Sequence, residues 1–350
     1  MEWDSVPASS VDMIFNQVWE IDVILWCQQL GEWLRPIMTL FTQLGYAPFY
    51  VMLITLVYWC IDRETGLRIA VFVLFSSALN AVLKLAFHAP RPYWVDDRIR
   101  ALYHPSREFG MPSGHAQTGS TIWFLLVRSF HKTGLWLLAG VLCVMIGVSR
   151  LYLGVHFLSQ VLSGWCVGIG LVIAFATLEG RIVAWIRAQT VWRQLLITAG
   201  ISAILPAVGG ICVLLPADFT IPLEWQQNVA RYLGEKPFEP VSLTDIILYS
   251  GALLGLMWGG ILSAQGQSVR ADGIWWKRMT RYVVGIVALA AIGGILAALM
   301  SIAPIPPDSR WLKDGLLFPG AAIIGLAAIY LIPLLFLRLK LADPADSEQN

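Results

Sequence analysis

The stretch HFLSQVLSGWCVGIGLVIAFATLE, residues 156–179, decides the class of fold. Apart from His156 at its start, Glu179 is its only acidic or basic residue. A helix rising ~1.5 Å per residue over this length crosses the ~30 Å hydrocarbon core of a bilayer. Lipid offers no hydrogen-bond partner to open backbone, so such segments are helical. Similar apolar stretches fall near 44–62, 66–87, 115–131, 134–151, 193–215, 243–265, 281–303 and 315–339. The sequence therefore predicts an all-α, polytopic transmembrane helical bundle of about nine spans.

Composition supports this class and excludes others. Of 350 residues, 57% are hydrophobic and only 13% are charged, more apolar side chain than a soluble core of this size uses. The net charge of +1 suggests no nucleic-acid partner, so the expected partners are the lipid bilayer and a substrate. The five cysteines are widely spaced without a C-x-x-C pair, which predicts neither a disulfide framework nor a zinc site. The oligomeric state does not follow from the sequence.

Four regions can be drawn along the chain. Residues 1–43 form an acidic extracytoplasmic N-terminus, in which 12–35 is predicted to be an interfacial amphipathic helix anchored by Trp19, Trp26 and Trp33. It lacks the basic start of a cleavable signal peptide. Residues 44–190 hold the core with all the motifs, 191–340 add further spans, and 341–350 form a polar tail. Gly164 and Gly168, and Gly251, Gly255 and Gly259, are predicted to mark close helix packing.

Basic residues are distributed unevenly between the two sides of this predicted bundle. The loops near 63–68, 128–132, 180–193 and 266–281 and the segment 338–340 share one side and are rich in Lys and Arg. The positive-inside rule makes that side cytoplasmic. The motifs described next would then lie on the extracytoplasmic or lumenal face of an integral protein of the cell inner membrane or an endomembrane.

The first motif is Lys84-Leu-Ala-Phe-His-Ala-Pro-Arg91-Pro92, at the extracytoplasmic end of the second predicted span. Lys84 falls in the last helical turn, and the prolines end the helix, which turns Arg91 back toward the mouth of the bundle. Two cations should therefore converge there.

The second motif is Met111-Pro112-Ser113-Gly114-His115, immediately before the third predicted span. Ser113 is expected to cap the helix, and Gly114 would let an anion approach the first backbone N–H groups closely. His115 would then stand beside any anion bound at that helix start.

The third motif is Ser149-Arg150-Leu-Tyr-Leu-Gly-Val-His156-Phe-Leu-Ser-Gln160. Arg150 can hold two phosphoryl oxygens at once, and Gln160, one helical turn after His156, can orient the imidazole. Taken singly, such residues have ordinary explanations, since basic side chains near span ends often snorkel to the interface. Three cations and two histidines on one membrane face are not explained in that way.

Together the three motifs, in this order and spacing, resemble the tripartite signature of the type-2 phosphatidic acid phosphatase superfamily, which includes lipid phosphate phosphatases, glucose-6-phosphatases and vanadium haloperoxidases. The resemblance implies that Lys84, Arg91, Ser113, Gly114 and Arg150 bind the phosphoryl group. It further implies that His156 attacks phosphorus, that His115 protonates the leaving oxygen, and that neither a metal nor another cofactor is required.

Gln160 departs from the family pattern, in which Asp commonly follows the nucleophilic histidine by four residues. An amide can still fix the tautomer of His156, but it brings no negative charge. This departure, and Tyr93 and Trp94 after the first motif, resemble the glucose-6-phosphatase branch. Sphingosine-phosphate-type phosphatases are also similar in the third motif.

The predicted activity is that of a phosphoric monoester hydrolase that acts on a membrane lipid phosphomonoester or terminal diphosphate through a phosphohistidine. Three alternatives remain: a soluble sugar phosphate as substrate, phosphoryl transfer to an alcohol acceptor, and a non-catalytic transporter. A lateral opening between spans would favour lipid, whereas a closed polar pocket under the 88–114 loop would favour sugar. His88 and His104 could also touch substrate, and His131 has no predicted role.

Overall fold

The computed structural model describes residues 18–130, 133–215, 219–234, 238–266, 269–303, 306 and 309–345. His131, the start of the acidic N-terminus and the end of the polar tail lie outside these residues. Over the described residues the chain is helical, apart from turns, loops and one isolated bridge between Val269 and Pro344. The helices are α1 (Val18–Gln29), α2 (Arg35–Gln43), α3 (Ala47–Cys60), α4 (Arg63–Phe87), α5 (Pro92–Val95), α6 (Gly114–Phe130), α7 (Thr133–Tyr152), α8 (Leu158–Arg187), α9 (Val191–Leu214), α10 (Leu223–Leu233), α11 (Thr244–Gln265), α12 (Trp275–Ile302), α13 (Arg310–Leu326) and α14 (Ile332–Arg338).

Each predicted span coincides with a helix or helix pair. Seven stretches of the described chain are long and apolar enough to cross a bilayer, and the bent pair α2–α3 brings the number to eight. The predicted third span falls on α6, which has 17 residues and packs between α4, α7 and α8. These observations confirm a polytopic helical bundle.

The first predicted span, 44–62, differs from the structure. Its helix begins only at Ala47, and α2 and α3 meet at an angle of 47°. Tyr46 has an extended backbone (φ −90°, ψ 149°), and Pro48, in the first turn of α3, has no N–H with which to continue the preceding helix. The break is therefore local in origin, and it places residues 42–46 at the level of the three motifs.

The N-terminal helix α1 packs on the bundle through one face. Ile24, Cys27 and Glu20 are buried, whereas Trp19 and Trp26 are exposed. The Glu20 carboxylate accepts hydrogen bonds from the backbone N–H (2.6 Å) and the hydroxyl (3.0 Å) of Ser159. The carboxylate thereby satisfies a backbone N–H group in the first turn of α8 that has no partner within the helix. Its negative charge also interacts favourably with the positive end of the α8 dipole. The location of α1 at a membrane interface stays a prediction.

Glycines allow α11 to approach α13 at backbone distance, as the sequence predicted. A Cβ atom on Gly255 would lie 1.9 Å from the carbonyl oxygen of Ala322, and one on Gly251 would lie 2.3 Å from that of Phe318. Gly164 and Gly168 on α8 face α6 in the same way. Small residues at such crossings let apolar helices gain van der Waals contact without a side chain between them.

A π turn at Ala327–Leu331 joins α13 to α14 and ties the last span to α3. Pro333 has no N–H to donate to the carbonyl groups one turn earlier. Side chains of α3 satisfy these groups instead: Tyr58 donates to the oxygen of Ile329 (2.9 Å) and Trp59 to that of Ala328 (2.9 Å). The irregular backbone is therefore hydrogen-bonded inside the protein, as membrane depth requires.

Helix α10 packs against α5 and the loop that follows it. Asn228 donates to the carbonyl oxygen of Trp94 (2.9 Å), and the Tyr232 hydroxyl bonds to the backbone of Ile99 (3.3 Å) and Ala101 (3.1 Å). The C-terminal half thus supports the loop between the first two motifs.

We expect Gly255→Ala to lower the free energy of unfolding by about 2 kcal/mol or more, because the added methyl group must push α11 and α13 apart. Thermal unfolding in detergent measures the effect. Gly294→Ala is the matched control, because Gly294 is exposed and a Cβ there meets nothing within 4 Å. Equal melting temperatures for the two variants would contradict the proposed close packing.

Candidate active site

The three sequence motifs meet at one cavity of about 520 Å³. Six of the eight predicted site residues line this cavity, and Ser113 and Gln160 lie directly behind it. The lining residues are Lys84, Arg91, Gly114, His115, Arg150 and His156. Residues far apart in sequence are therefore brought together, as predicted.

Arg91 is the most extensively hydrogen-bonded of the three cations and is only 3% exposed. Its guanidinium donates to three backbone carbonyl oxygens, those of Glu108 (2.7 Å), Val155 (3.1 Å) and Phe109 (3.4 Å). Its Nη1 atom also lies 3.2 Å from Nε2 of His156. These partners are neutral, so they fix the guanidinium without cancelling its charge.

Arg150 is also 3% exposed and is held by neutral groups. Its Nη1 atom donates to the hydroxyl of Thr42, and the Tyr46 hydroxyl lies within reach of the same guanidinium. Its Nε atom has no hydrogen-bond partner among the described residues. Within the described chain, neither Arg91 nor Arg150 forms a salt bridge with a carboxylate.

Lys84 differs from the arginines, because it forms a salt bridge with Glu108. The Lys84 ammonium lowers the pKa of Glu108, which therefore stays ionised. The carboxyl group of Asp245, in the first turn of α11, contacts that of Glu108 and also lines the cavity. The sequence analysis missed both acids, although an acidic residue at the start of a span is a recognisable signal.

The loop before α6 is positioned by two hydrogen bonds. The backbone N–H of Ser113 donates to the Gln160 carbonyl oxygen (2.8 Å), and Asn80 donates to the carbonyl oxygen of Pro112 (3.1 Å). The predicted capping role of Ser113 is wrong, since its fully buried hydroxyl has no partner among the described residues. Ser113 Oγ bonds to none of the first N–H groups of α6 and lies behind the wall of the cavity without a partner among the described residues. A Cβ on Gly114 would lie 3.1 Å from the Asn80 side-chain oxygen.

His156 lies in the turn between α7 and α8 with a defined tautomer. The Arg91 guanidinium can only donate hydrogen bonds, so its contact with Nε2 of His156 requires a lone pair on Nε2. The proton of the neutral ring is therefore on Nδ1. Nδ1 lies 3.0 Å from the side-chain oxygen of Gln160, whose amide nitrogen donates to the Pro90 carbonyl oxygen (2.7 Å). Gln160 therefore both accepts and donates, which a carboxylate could not do.

Burial lowers the pKa of His156 well below its usual value. The charges of Arg91, Arg150 and Lys84 lower it further, in that order, and Gln160 opposes them only weakly through its hydrogen bond. Each of these effects favours the uncharged ring. His156 is therefore uncharged, and its Nε2 lone pair accepts a hydrogen bond from Arg91 at the wall of the cavity.

The second histidine of the site, His115, packs edge-on against Tyr46, with ring centroids 4.5 Å apart at 85°. Its Nε2 atom is buried and has no hydrogen-bond partner in the described part of the chain. A ring held by packing, with a free nitrogen in the cavity, suits proton transfer to a bound ligand.

The two other described histidines, His88 and His104, differ in whether they line the cavity. His104 lines the mouth of the cavity and packs against Tyr46 and Tyr103. His88 does not line it, because its ring lies between Phe109 and Phe219. Among the described residues, no cluster of three His, Cys, Asp or Glu side chains is arranged to hold a metal ion.

Below the charged groups the cavity continues between the spans, with mainly apolar walls. Along α4 the lining residues run from Lys84 to Ala70, roughly 20 Å at ~1.5 Å per residue. Val51 lines the cavity and is also 45% exposed at the outer surface of the bundle. The other apolar or small lining residues in this part are Ile54, Val73, Leu74, Ala81, Ala252, Leu256, Leu289, Ile324, Gly325 and Ala328.

Comparison with known proteins identifies the family of this chain. Residues 65–184 match the PAP2 superfamily, and residues 247–344 match the transmembrane extension of PAP2 superfamily phosphatases. Phosphatidylglycerophosphatase B of Bacillus subtilis is 33% identical over 150 residues, which cover 39% of this chain and 71% of that protein. Glucose-6-phosphatase catalytic subunit 1 of Haplochromis nubilus is 26% identical over 235 residues, 57% of this chain and 63% of that protein.

Among solved structures, the crystal structure of a transmembrane PAP2-type phosphatidylglycerolphosphate phosphatase from Bacillus subtilis is similar. It shares 28% sequence identity and a TM-score of 0.43, over 49% of this chain and 91% of that one. The sequence matches cover all three motifs and most of the C-terminal spans. This protein therefore belongs to the PAP2 superfamily, as an integral membrane phosphatase that carries the family's transmembrane extension.

Proposed function

We propose that the protein hydrolyses the phosphomonoester, or the terminal phosphate of a diphosphate, of a membrane lipid through a phosphohistidine on His156. The observation that carries this proposal is the single cavity, which Lys84, Arg91 and Arg150 line together with His156 and from which an apolar channel continues. Arg91 contacts Nε2 of His156 directly. Lys84, Arg91, Arg150, Ser113 and Gly114 bind the phosphoryl group. Fixed positive charge and N–H donors stabilise the negative charge that spreads over its oxygens during transfer.

In the first step, the Nε2 lone pair of His156 attacks phosphorus and the bond to the leaving oxygen breaks. Protonated His115 gives its proton to that oxygen, which leaves as the lipid alcohol. The bound phosphate dianion favours the protonated form of His115, because it adds negative charge beside a ring that otherwise faces cations. Gln160 keeps the Nδ1 proton in place while Nε2 reacts.

In the second step, a water molecule attacks phosphorus and the phosphorus–nitrogen bond breaks. His115, neutral after the first step, accepts a proton from the water. Inorganic phosphate leaves, and His156 and His115 return to their starting states. An alcohol in place of water would make the same site a phosphotransferase.

The substrate class follows from the lower part of the cavity. A polar headgroup phosphate fits the cationic end, and a hydrocarbon chain fits the apolar walls between α3, α4, α11 and α13. Burial of each methylene group there stabilises the complex by about 0.8 kcal/mol. Val51, which borders both the cavity and the lipid-facing surface, supports entry from the bilayer beside α3. On the charge distribution, the site opens to the extracytoplasmic or lumenal side.

The relatives support two substrate classes, since one is named for a phosphatidylglycerol phosphate and the other for glucose 6-phosphate. The apolar channel favours the lipid, because a sugar phosphate would leave it unfilled. Glucose 6-phosphate is nevertheless the appropriate rival substrate in every assay.

We expect brief exposure to ³²P-labelled substrate to leave acid-labile, base-stable phosphate on the protein, as a phosphorus–nitrogen bond requires. His156→Ala should abolish this label. His88→Asn is the control and should keep it, because His88 does not line the cavity and Asn tolerates the left-handed backbone at this residue (φ 49°). A label that persists in His156→Ala would exclude this nucleophile.

Substitutions of Gln160 should alter the pH profile of kcat/KM. Uncharged His156 is the reactive form, so in the parent protein activity should fall only as the pH drops below ~6.5, the usual histidine pKa. Gln160→Glu adds negative charge at Nδ1, which raises the pKa of His156 and moves this acidic limb upward. Gln160→Leu removes the acceptor and should cost about 100-fold in kcat. The matched control is Gln194→Leu, a buried amide on α9, and a profile unchanged in both Gln160 variants would contradict the orienting role.

The apolar channel should determine chain-length preference. Ala252→Phe, which fills the channel, should lower kcat/KM about tenfold or more for hexadecyl phosphate and leave butyl phosphate nearly unaffected, since only the long chain loses buried methylene groups. Ala291→Phe on the exposed face of α12 is the control. Phosphate release from glucose 6-phosphate is measured beside both. A parent protein that prefers glucose 6-phosphate, with equal losses on both alkyl phosphates in Ala252→Phe, would replace the lipid by a sugar as substrate.

A further inference from the structure

The bend between α2 and α3 lies against the active site, although it belongs to none of the three motifs. Its sequence is Thr42-Gln-Leu-Gly45-Tyr46, and the helix axis turns by 47° across it. Thr42 is the last residue but one of α2, and Tyr46 immediately precedes the first residue of α3. Gly45 and Tyr46 also line the cavity that holds His156.

The first contact of this bend is with Arg150. Thr42 is fully buried, and its hydroxyl accepts a hydrogen bond from Nη1 of Arg150 across 108 positions of sequence. The Tyr46 hydroxyl is within reach of the same guanidinium. A buried guanidinium needs oriented acceptors, and a carboxylate in this position would compete with phosphate for it. Hydroxyl groups orient the cation and leave its charge for the ligand.

The second contact is with His115. The Tyr46 ring packs edge-on against the His115 imidazole, with ring centroids 4.5 Å apart. Gly45 lies against Cδ2, Cγ and Cβ of the same histidine. A Cβ atom on Gly45 would stand 2.6 Å from Cδ2 and 3.2 Å from Cγ of His115, so no larger residue fits without moving the ring. The orientation of His115 is therefore set by the bend, since its buried Nε2 atom has no partner among the described residues.

We propose that Thr42, Gly45 and Tyr46 form a fourth part of the phosphate site and act as positioning residues. Thr42 and Tyr46 hold Arg150 on the phosphoryl oxygens, and Gly45 and Tyr46 hold the His115 ring where it can protonate the leaving oxygen. This inference rests on the proposed roles of Arg150 and His115. It gives the broken helix pair a part in the chemistry that acts through Arg150 and His115.

Thr42→Val tests the contact with Arg150, because valine has nearly the shape of threonine but no hydroxyl. We expect vanadate, which mimics the phosphoryl group in transfer, to inhibit this variant about tenfold more weakly, the effect of losing a hydrogen bond to a charged group. Thr42→Ser should restore inhibition, and Thr198→Val, a buried threonine on α9 that bonds only its own helix, should not change it. In an Arg150→Ala background, Thr42→Val should cause no further loss.

Tyr46 is tested through the leaving group. An alkyl phosphate needs protonation of its leaving oxygen, whereas p-nitrophenyl phosphate does not, so a misplaced His115 should slow only the former. We expect Tyr46→Leu to lower kcat for hexadecyl phosphate at least tenfold more than for p-nitrophenyl phosphate. Tyr46→Phe keeps the ring and should show no such difference.

The outcomes separate this inference from the proposed function. Equal losses on both substrates in Tyr46→Leu, or a loss in Thr42→Val that persists undiminished in the Arg150→Ala background, would reduce the bend to a structural role and overturn the inference. Normal vanadate inhibition of Arg150→Ala, together with full activity of His115→Ala on hexadecyl phosphate, would instead overturn the proposed site itself. Melting temperatures of all variants in detergent identify losses caused by unfolding.

Discussion

The rest of the site depends on the hydrogen bonds that the Arg91 guanidinium donates. The guanidinium bonds to the loop after α5 at Glu108 and Phe109, to the α7–α8 turn at Val155, and to Nε2 of His156. Because a guanidinium has five N–H donors and no acceptor, each of its partners must accept a hydrogen bond. The tautomer of His156, with the lone pair on Nε2 and the proton on Nδ1, follows from this polarity. Because the other partners are backbone carbonyl groups, the loop conformation and the chemistry of the histidine are coupled.

The three cations are balanced in two different ways. Arg91 and Arg150 are oriented by carbonyl and hydroxyl oxygens, whereas Lys84 forms a salt bridge with Glu108. Among the described residues, the arginines therefore have no carboxylate partner, whereas Lys84 has Glu108. In the proposed function, Lys84 exchanges this carboxylate for the phosphate. The C-terminal half contributes to both the site and its support, since Asp245 contacts Glu108 and Asn228 holds the loop at Trp94. The amide at Gln160 fits the same pattern, because its donor and acceptor join two neutral partners.

The sequence predicted the helical class, the positions of the spans and the residues that converge, because each depends on local composition or on motif spacing. It failed where a contact depends on packing between distant segments. Thr42 and Tyr46 look like ordinary residues of an apolar stretch, and only the bend at Gly45 brings them to Arg150 and His115. The capping role expected of Ser113 was wrong for a related reason. Tertiary hydrogen bonds position its loop, so the hydroxyl is not needed at the helix start.

The π turn before Pro333 has a consequence for biosynthesis. Tyr58 and Trp59 leave the ribosome early, but the carbonyl groups to which they donate belong to residues 328 and 329, near the end of the chain. Ile324, Gly325 and Ala328, close to the same turn, form part of the cavity wall. All three motifs are therefore synthesised before the segment that completes the wall of the apolar channel. A nascent chain that has inserted the three motifs but not α13 and the π turn therefore lacks the part of the cavity wall that Ile324, Gly325 and Ala328 form.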